Sequence, residues 1–371
     1  MKKERIGILT FWGVPNYGAF AQAYALNKLV SGLMPTADVA HIAYLHPKHI
    51  RLYKLKKRKY PSYAKWWYCF NPLYYLRILK CFISNHSLKR IPYFDNYWKL
   101  IPHVKVKNEK KLEKIRFQTI ITGSDCIWEY SIDSFGDDAH LIGNNLNCEN
   151  LVAYAPSFGD MNTFDTFPSF VSKGLNKYSY LSSRDTTTKD IINMFVNGVN
   201  VPMVLDPTLL YDFKKDIAIP SIEASNYILV YGKKFKESDI ADIKRYAKDN
   251  KLGIIGAGFS PTWVDENKKT INPLEWISMF KNATLVVTCT FHGLMFAINF
   301  GKRVFFNQVD YVKNRSSFLL KELGLLDLFK GDCSLSTILS YDWNYDRINS
   351  KLASLRKESL RFLEDSLKYD K

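Results

Sequence analysis

Residues Ala283–Gly301 read ATLVVTCTFHGLMFAINFG, and the hydrophobic pattern changes in the middle of the stretch. Leu285, Val286 and Val287 form a short β-branched apolar run, the pattern of a strand buried on both faces. The run stops at Thr288-Cys289-Thr290-Phe291-His292-Gly293, and a segment with helical spacing follows. Strand, polar turn and helix together make the half-unit of an open parallel α/β sheet. Ligands of such sheets sit outside the carboxyl ends of the strands, so His292, with Thr290 beside it, occupies a site position before any chemistry is assumed. The free N–H groups and positive dipole end of the following helix suit a phosphate or a carboxylate.

The same alternation extends to either side. Strands at 226–232, 252–256 and 302–307 and helices at 238–250, 273–282 and 316–323 predict a βαβ domain over 226–341. Upstream, strands at 5–11, 39–45, 117–122, 150–155 and 178–183, with helices at 19–30 and 186–195, predict a first Rossmann-like domain over 1–210. The expected fold class is α/β, two doubly wound domains. Residues 342–371 form an amphipathic helix with Ile348, Leu352, Leu355, Leu360 and Leu363 on one side. It is expected to pack across both domains, a dimer contact being the other use of that face.

Several predicted strand ends carry polar residues. Asn16 and Tyr17 close the Gly/Pro turn WGVPNYG; Asp125 lies in GSDCIW, where an N-cap is the commoner use of Asp; Ser157 follows Pro156. Arg184 stands beside a helix start, where its planar fork suits a carboxylate or phosphate, a structural pairing with Asp185 or Asp206 being the alternative. Such a set describes a small-molecule cleft between two domains.

Charge is segregated along the chain. Of 52 Lys and Arg and 36 Asp and Glu, residues 46–117 hold 19 basic and 3 acidic, so this segment carries the whole net charge of +16. It also holds Trp66, Trp67, Tyr68, Tyr74, Tyr75, Tyr97 and Trp98. Cations interleaved with Trp and Tyr suit an anionic membrane surface, KLKKRK (54–59) as an exposed cluster and 63–83 as an interfacial helix. A solvated basic face over core aromatics is the plainer reading, and a single-stranded nucleic acid the least expected. No apolar run is long enough to span a bilayer. Six scattered cysteines with no CxxC and no signal-peptide pattern indicate a reducing cytoplasm and no zinc site. GxSxG, HExxH, EF-hand and Walker A patterns are absent, which removes the hydrolase and metal classes they mark.

Taken in order, NYGA with QAYAL (13–26), GSDCIW (123–128), Ser157–Gly159, SSRD (182–185), DPTL (206–209) and TCTFHG (288–293) resemble the bacterial polysaccharide pyruvyl transferase family. The resemblance runs from near residue 5 to near 325. It implies two Rossmann-like domains arranged as in GT-B glycosyltransferases, and transfer of pyruvate from phosphoenolpyruvate to a sugar as a cyclic ketal, with no other cofactor. It implies His292 as acid/base or donor ligand, Arg184 as donor clamp, and Asp125 as the carboxylate that orients or deprotonates a sugar hydroxyl. Asn16, Tyr17, Ser157 and Thr290 complete the expected substrate contacts. Some members place an arginine two residues before the histidine, where this chain has Thr290. The missing cation then falls to Lys302, Arg303 or Arg315, with Arg315 preferred. Family members act on lipid-linked repeat units of surface polysaccharides, which implies a polyprenyl-diphosphate-linked acceptor and peripheral placement on the inner face of the cytoplasmic membrane through residues 46–117. Two rivals stand beside this reading: a GT-B glycosyltransferase using a nucleotide sugar, and a non-enzymatic membrane-associated module.

Overall fold

The computed structural model describes residues 3–49, 72–73, 75–76, 94–132, 135, 137–221, 226–331 and 333–368. The KLKKRK cluster and nearly all of the expected interfacial helix lie outside them.

The first half runs β1 (Arg5–Leu9), α1 (Tyr17–Leu33), β2 (Asp38–Ala43), β3 (His103–Lys105), α2 (Glu109–Lys114), β4 (Arg116–Thr122), β5 (Asn147–Ala153), α3 (Ser169–Leu175), β6 (Tyr180–Leu181), α4 (Thr186–Phe195) and α5 (Pro207–Leu210). Its strands pair in parallel in the order β3-β2-β1-β4-β5-β6. The second half runs β7 (Tyr227–Tyr231), α6 (Glu237–Asp249), β8 (Gly253–Ala257), β9 (Glu266–Lys268), α7 (Pro273–Asn282), β10 (Leu285–Thr288), α8 (Phe291–Asn299), β11 (Arg303–Phe306), α9 (Asp310–Leu323), α10 (Leu335–Ser340) and α11 (Tyr345–Leu367). Its order is β11-β10-β7-β8-β9, again parallel. In the first sheet the chain order reverses between β1 and β4, and in the second between β7 and β10. These are the crevices where doubly wound sheets take their ligands.

The central strands match their sequence pattern because both faces are covered: Tyr227–Tyr231 and Leu285–Thr288 are buried throughout. The edges differ from expectation. His103–Lys105 and Glu266–Lys268 pair as strands although they carry no apolar run, since an edge strand needs backbone partners more than side-chain burial. The charged stretch 105–116, whose sequence with little apolar face reads as a helix throughout, is helical only over Glu109–Lys114, because β3 and β4 take its two ends. The stretch 201–205 contributes one bridge, Ser183 to Met203. Helix α9 begins at Asp310 and not at Ser316, which places Arg315 inside it.

Three contacts lock the halves together. Tyr17, at the first position of α1, is 1% exposed; it stacks on Trp276 of α7 at 5.2 Å, and its hydroxyl donates to the Ile271 carbonyl at 2.7 Å. Asn299 Nδ2, at the end of α8, donates to the Thr208 carbonyl of α5 at 2.7 Å. Helix α11 crosses both halves: Arg356 donates to the Leu209 carbonyl and to Asn299 Oδ1, while Leu363 and Leu367 cover Ile6, Ile8, Ile121 and Val152 on the first sheet.

Candidate active site

The loops after β1, β4, β7 and β10 enclose a cavity of about 340 Å³. Its wall includes Asn16, Tyr17, Asp125, Thr290, His292 and Arg315. Of the residues expected there, Arg184 and Ser157 stand behind the wall.

Two helices aim their N-termini at this space. Asn16 caps α1 by accepting from Gly18 and Ala19, and Thr290 caps α8 by accepting from Gly293 at 3.1 Å. Neither helix has an acidic residue in its first turn, so both positive ends remain available to a ligand anion. The helices approach closely because Gly18 has no side chain; a Cβ there would collide with the His292 ring at Nδ1.

His292 Nε2 is buried with no hydrogen-bond partner in the structure. Burial pushes its pKa below the ordinary histidine value; Asp206 and Asp125 pull the other way, while Arg184 and Arg315 reinforce the depression. The lowered pKa favours a neutral imidazole at neutral pH.

Behind the wall lies a buried chain of charge. Arg184, 3% exposed, donates to Asp206 at 2.7 Å and to Asp125 at 3.2 Å, and its guanidinium lies 4.6 Å from the centre of the Phe291 ring. Both terminal nitrogens are thus engaged by carboxylates, and the pairing with Asp206 that sequence left open is the one present. Asp185 instead caps α4 through Thr188. Asp206, the first residue of DPTL, also accepts from Ser124 and Thr208, so GSD, SSRD and DPTL meet at one buried point. Asp125 does not cap a helix. It has φ +80°, accepts from the Cys126 amide at 2.8 Å, and faces the cavity. Burial works against its charge, but Arg184, His292 and the Cys126 amide outweigh this and hold its carboxyl below the usual value.

Arg315 is the guanidinium on the cavity wall. It reaches there from α9, anchored on the Tyr311 carbonyl and lying over the Tyr311 ring at 4.9 Å, with Asp160 at 3.9 Å. Lys302 and Arg303 lie at the opposite, amino end of β11, away from the cavity loops. The Ser157 hydroxyl accepts from the Gly159 amide inside its own turn, and the Tyr17 hydroxyl is committed to Ile271.

Sequence reasoning did not single out the aromatic part of the wall: Phe11, His49, Phe135, Phe259 and Tyr311. His49 stacks on Phe135 at 4.3 Å. Their signal is weak because each looks like an ordinary core aromatic; only position just past a strand end separates Phe11 and Phe259 from the rest. Among the described residues no cluster of His, Cys, Asp and Glu could hold a metal ion, and no helix is long and apolar enough to cross a membrane.

Two doubly wound parallel halves that face each other across a ligand cavity make this a GT-B-like α/β protein. The sequence places it more closely. The chain belongs to the polysaccharide pyruvyl transferase family, whose profile matches residues 16–306 and so contains Asn16, Asp125, Thr290 and His292 of the cavity wall, leaving out residues 11–15 before it and Tyr311, Arg315 and α11 after it. No curated protein matches the chain. Similar solved structures include a functionally uncharacterised protein from Klebsiella pneumoniae (14% identity, covering 68% of this chain and 86% of that one, TM-score 0.39). Others are a putative UDP-N-acetylglucosamine 2-epimerase from Listeria monocytogenes (7%, 98% and 91%, 0.49) and the E. coli heptosyltransferase WaaC with ADP (11%, 81% and 86%, 0.37).

Proposed function

We propose that this protein transfers pyruvate from phosphoenolpyruvate to two hydroxyls of one sugar, forming a cyclic ketal. The observation that carries the reading is the convergence of two acid-free helix N-termini, a neutral His292 and an ionised Asp125, all inside the family-matched stretch, with Arg315 just beyond it, on one cavity. Its volume lies in the range of small-molecule sites.

The chemistry follows from the charges. A donor carrying phosphate and carboxylate raises the His292 pKa on binding, since its negative charge favours imidazolium. The imidazolium gives its proton to the donor methylene, whose π pair becomes the new C–H bond and leaves C2 cationic. A sugar hydroxyl bonds to C2 and returns a proton to the imidazole. That proton goes to the departing phosphate oxygen as the C2–O bond breaks with its electron pair. The second hydroxyl closes the ketal, and its proton restores the imidazolium. Over the cycle the diol loses two hydrogens, one to the new methyl group and one to phosphate. Asp125, with its lowered pKa, is a weak base; its task is to accept a hydrogen bond from the attacking hydroxyl and orient it. Arg315 takes the donor anion, while Arg184 holds Asp125 in place.

The acceptor is proposed to be a sugar on a polyprenyl diphosphate, met at the inner face of the cytoplasmic membrane by residues 46–117. The exposure of Leu73, Tyr75 and Leu76 supports this placement.

The test is calorimetry with phosphoenolpyruvate. Wild type should bind, and Arg315→Gln should weaken binding roughly thirtyfold, the loss of a charge-assisted contact of about 2 kcal/mol. Arg184→Gln should instead lower stability by roughly 3–5 kcal/mol, because Asp125 and Asp206 lose their buried partner. Binding of a UDP- or GDP-sugar with no response to phosphoenolpyruvate would replace pyruvyl transfer by glycosyl transfer.

A further inference from the structure

The C-terminal rim of the cavity holds a group of cations that the donor chemistry does not use. Strand β7 ends at Tyr231, and Gly232 turns the chain with φ +132°. A Cβ at Gly232 would run into Cys289 Sγ, so only glycine allows the loop to pass this close to β10. The next two residues are Lys233 and Lys234. The Lys233 ammonium lies 4.9 Å from the centre of the Phe259 ring, and that of Lys234 lies 5.6 Å from the Tyr311 ring. Both rings line the cavity, and both are partly open, at 40% and 38% exposure.

The rim is fixed by one backbone and one side-chain hydrogen bond that join the loops after β7, β8 and β11. Gly232 donates to the Phe259 carbonyl at 2.6 Å after β8, and Asn307 Nδ2 after β11 donates to the Lys234 carbonyl at 2.6 Å. Among the described residues neither lysine is within ion-pair distance of a carboxylate, and Asp160, beside Arg315, is the acid that senses Lys234. Two ammonium groups held over aromatic faces at a cavity mouth form a preorganised site for a doubly charged anion. The exposed parts of the same rings offer apolar contact to a sugar.

We infer that Lys233 and Lys234, over Phe259 and Tyr311, form a second anion subsite that receives a diphosphate carried by the acceptor, adjoining the donor pocket at Arg315 and His292 and sharing the Tyr311 ring with it. The inference rests on the proposed pyruvyl transfer and names the feature by which the site selects its acceptor. The rim fixes the diphosphate and the rings take the adjoining sugar, so the sugar's hydroxyls are presented inward to Asp125.

Inorganic pyrophosphate is the probe. Calorimetry is run on wild type, on Lys233→Ala/Lys234→Ala and on Arg315→Gln, each with and without saturating phosphoenolpyruvate. Pyrophosphate should bind wild type with or without the donor, tenfold or more weakly in the double lysine variant, and within about threefold of wild type in Arg315→Gln. Equal pyrophosphate affinity in wild type and the lysine variant, no pyrophosphate binding at all, or full displacement by phosphoenolpyruvate would overturn the subsite, the last by putting the anion in the donor pocket. Donor binding is read separately in the same series. Lysine-dependent pyrophosphate binding in a protein that ignores phosphoenolpyruvate would uphold the rim and sink the donor reading. The lysines are exposed and unpaired with carboxylates, so their replacement leaves folding intact, checked by an unchanged melting temperature.

Discussion

Histidine protonation couples the site to the stability of the molecule. Burial lowers the His41 pKa to about 3 and that of His49 to about 4, and depresses His292 in the same direction. In the unfolded chain each ring takes its proton near pH 6.5. The folded values lie below the unfolded one, so the stability these rings contribute is full above pH 6.5 and falls as pH drops toward the folded values. At pH 5 the unfolded state gains about 2 kcal/mol for each of His41 and His49. His140 runs the other way: burial opposes its charge, but Asp138 and Glu113 outweigh burial and raise its pKa, so its contribution is present in acid and fades as pH rises. With two rings of large shift against one, the urea midpoint should fall between pH 7.5 and pH 5, and His41→Gln should show a shallower slope. A midpoint that is flat or rises toward pH 5 would mean the buried rings are protonated in the fold. Sequence alone does not separate these histidines. His292 stands out because it follows a strand end, but His41 reads as one polar residue in the strand DVAHIA, and its burial depends on packing against the Ala23 carbonyl of α1, 18 residues away.

Helices α1 and α8 act at the next scale, as two N-termini brought to one point. Replacing glycine by alanine in a helix ordinarily stabilises it by about 1 kcal/mol. Gly18→Ala should do the opposite, because its Cβ meets the His292 ring, which lies at the start of α8. The expected outcome is tenfold or greater loss of phosphoenolpyruvate affinity with no rise in melting temperature. A more stable variant with normal binding would show that the helices have slack between them. Each helix was legible in sequence from its period; the structure adds the caps, Asn16 and Thr290 on these two and a capping box of Asn272 with Glu275 on α7. What local pattern does not contain is the distance between helices from different halves of the chain. For the same reason Arg184 was readable as an arginine at a strand end, with Asp206 one of two candidate partners, but its second carboxylate, Asp125, 59 residues away in sequence, was not. The rim lysines went unnoticed as well, since two lysines after a strand look like any solvated turn until the Phe259 and Tyr311 rings are placed beneath them.

Over the whole molecule, charge and fold are divided differently. The alternation of strands and helices was visible along the chain because central parallel strands are apolar on both faces, and α11 then covers the outer face of the first sheet while reaching into the second half. The net positive charge instead sits in residues 46–117, whose first described part ends at His49, on the wall of the cavity itself. A segment of +16 whose described start, His49, lies on the cavity wall is suited to the proposed placement of the cavity at an anionic surface. Each Lys or Arg near such a surface contributes roughly 1 kcal/mol, and the attraction is screened beyond about 10 Å at 0.1 M salt. The protein should therefore sediment with vesicles containing phosphatidylglycerol at low salt, ignore purely zwitterionic vesicles, and be released by about 0.5 M sodium chloride as the screening length shortens. Partial retention at high salt on the anionic vesicles would fit the exposed Leu73, Tyr75 and Leu76 entering the headgroup layer. Equal binding to charged and uncharged vesicles at every salt concentration would assign docking to apolar contact alone, and no sedimentation with either would leave the segment as a solvated basic face.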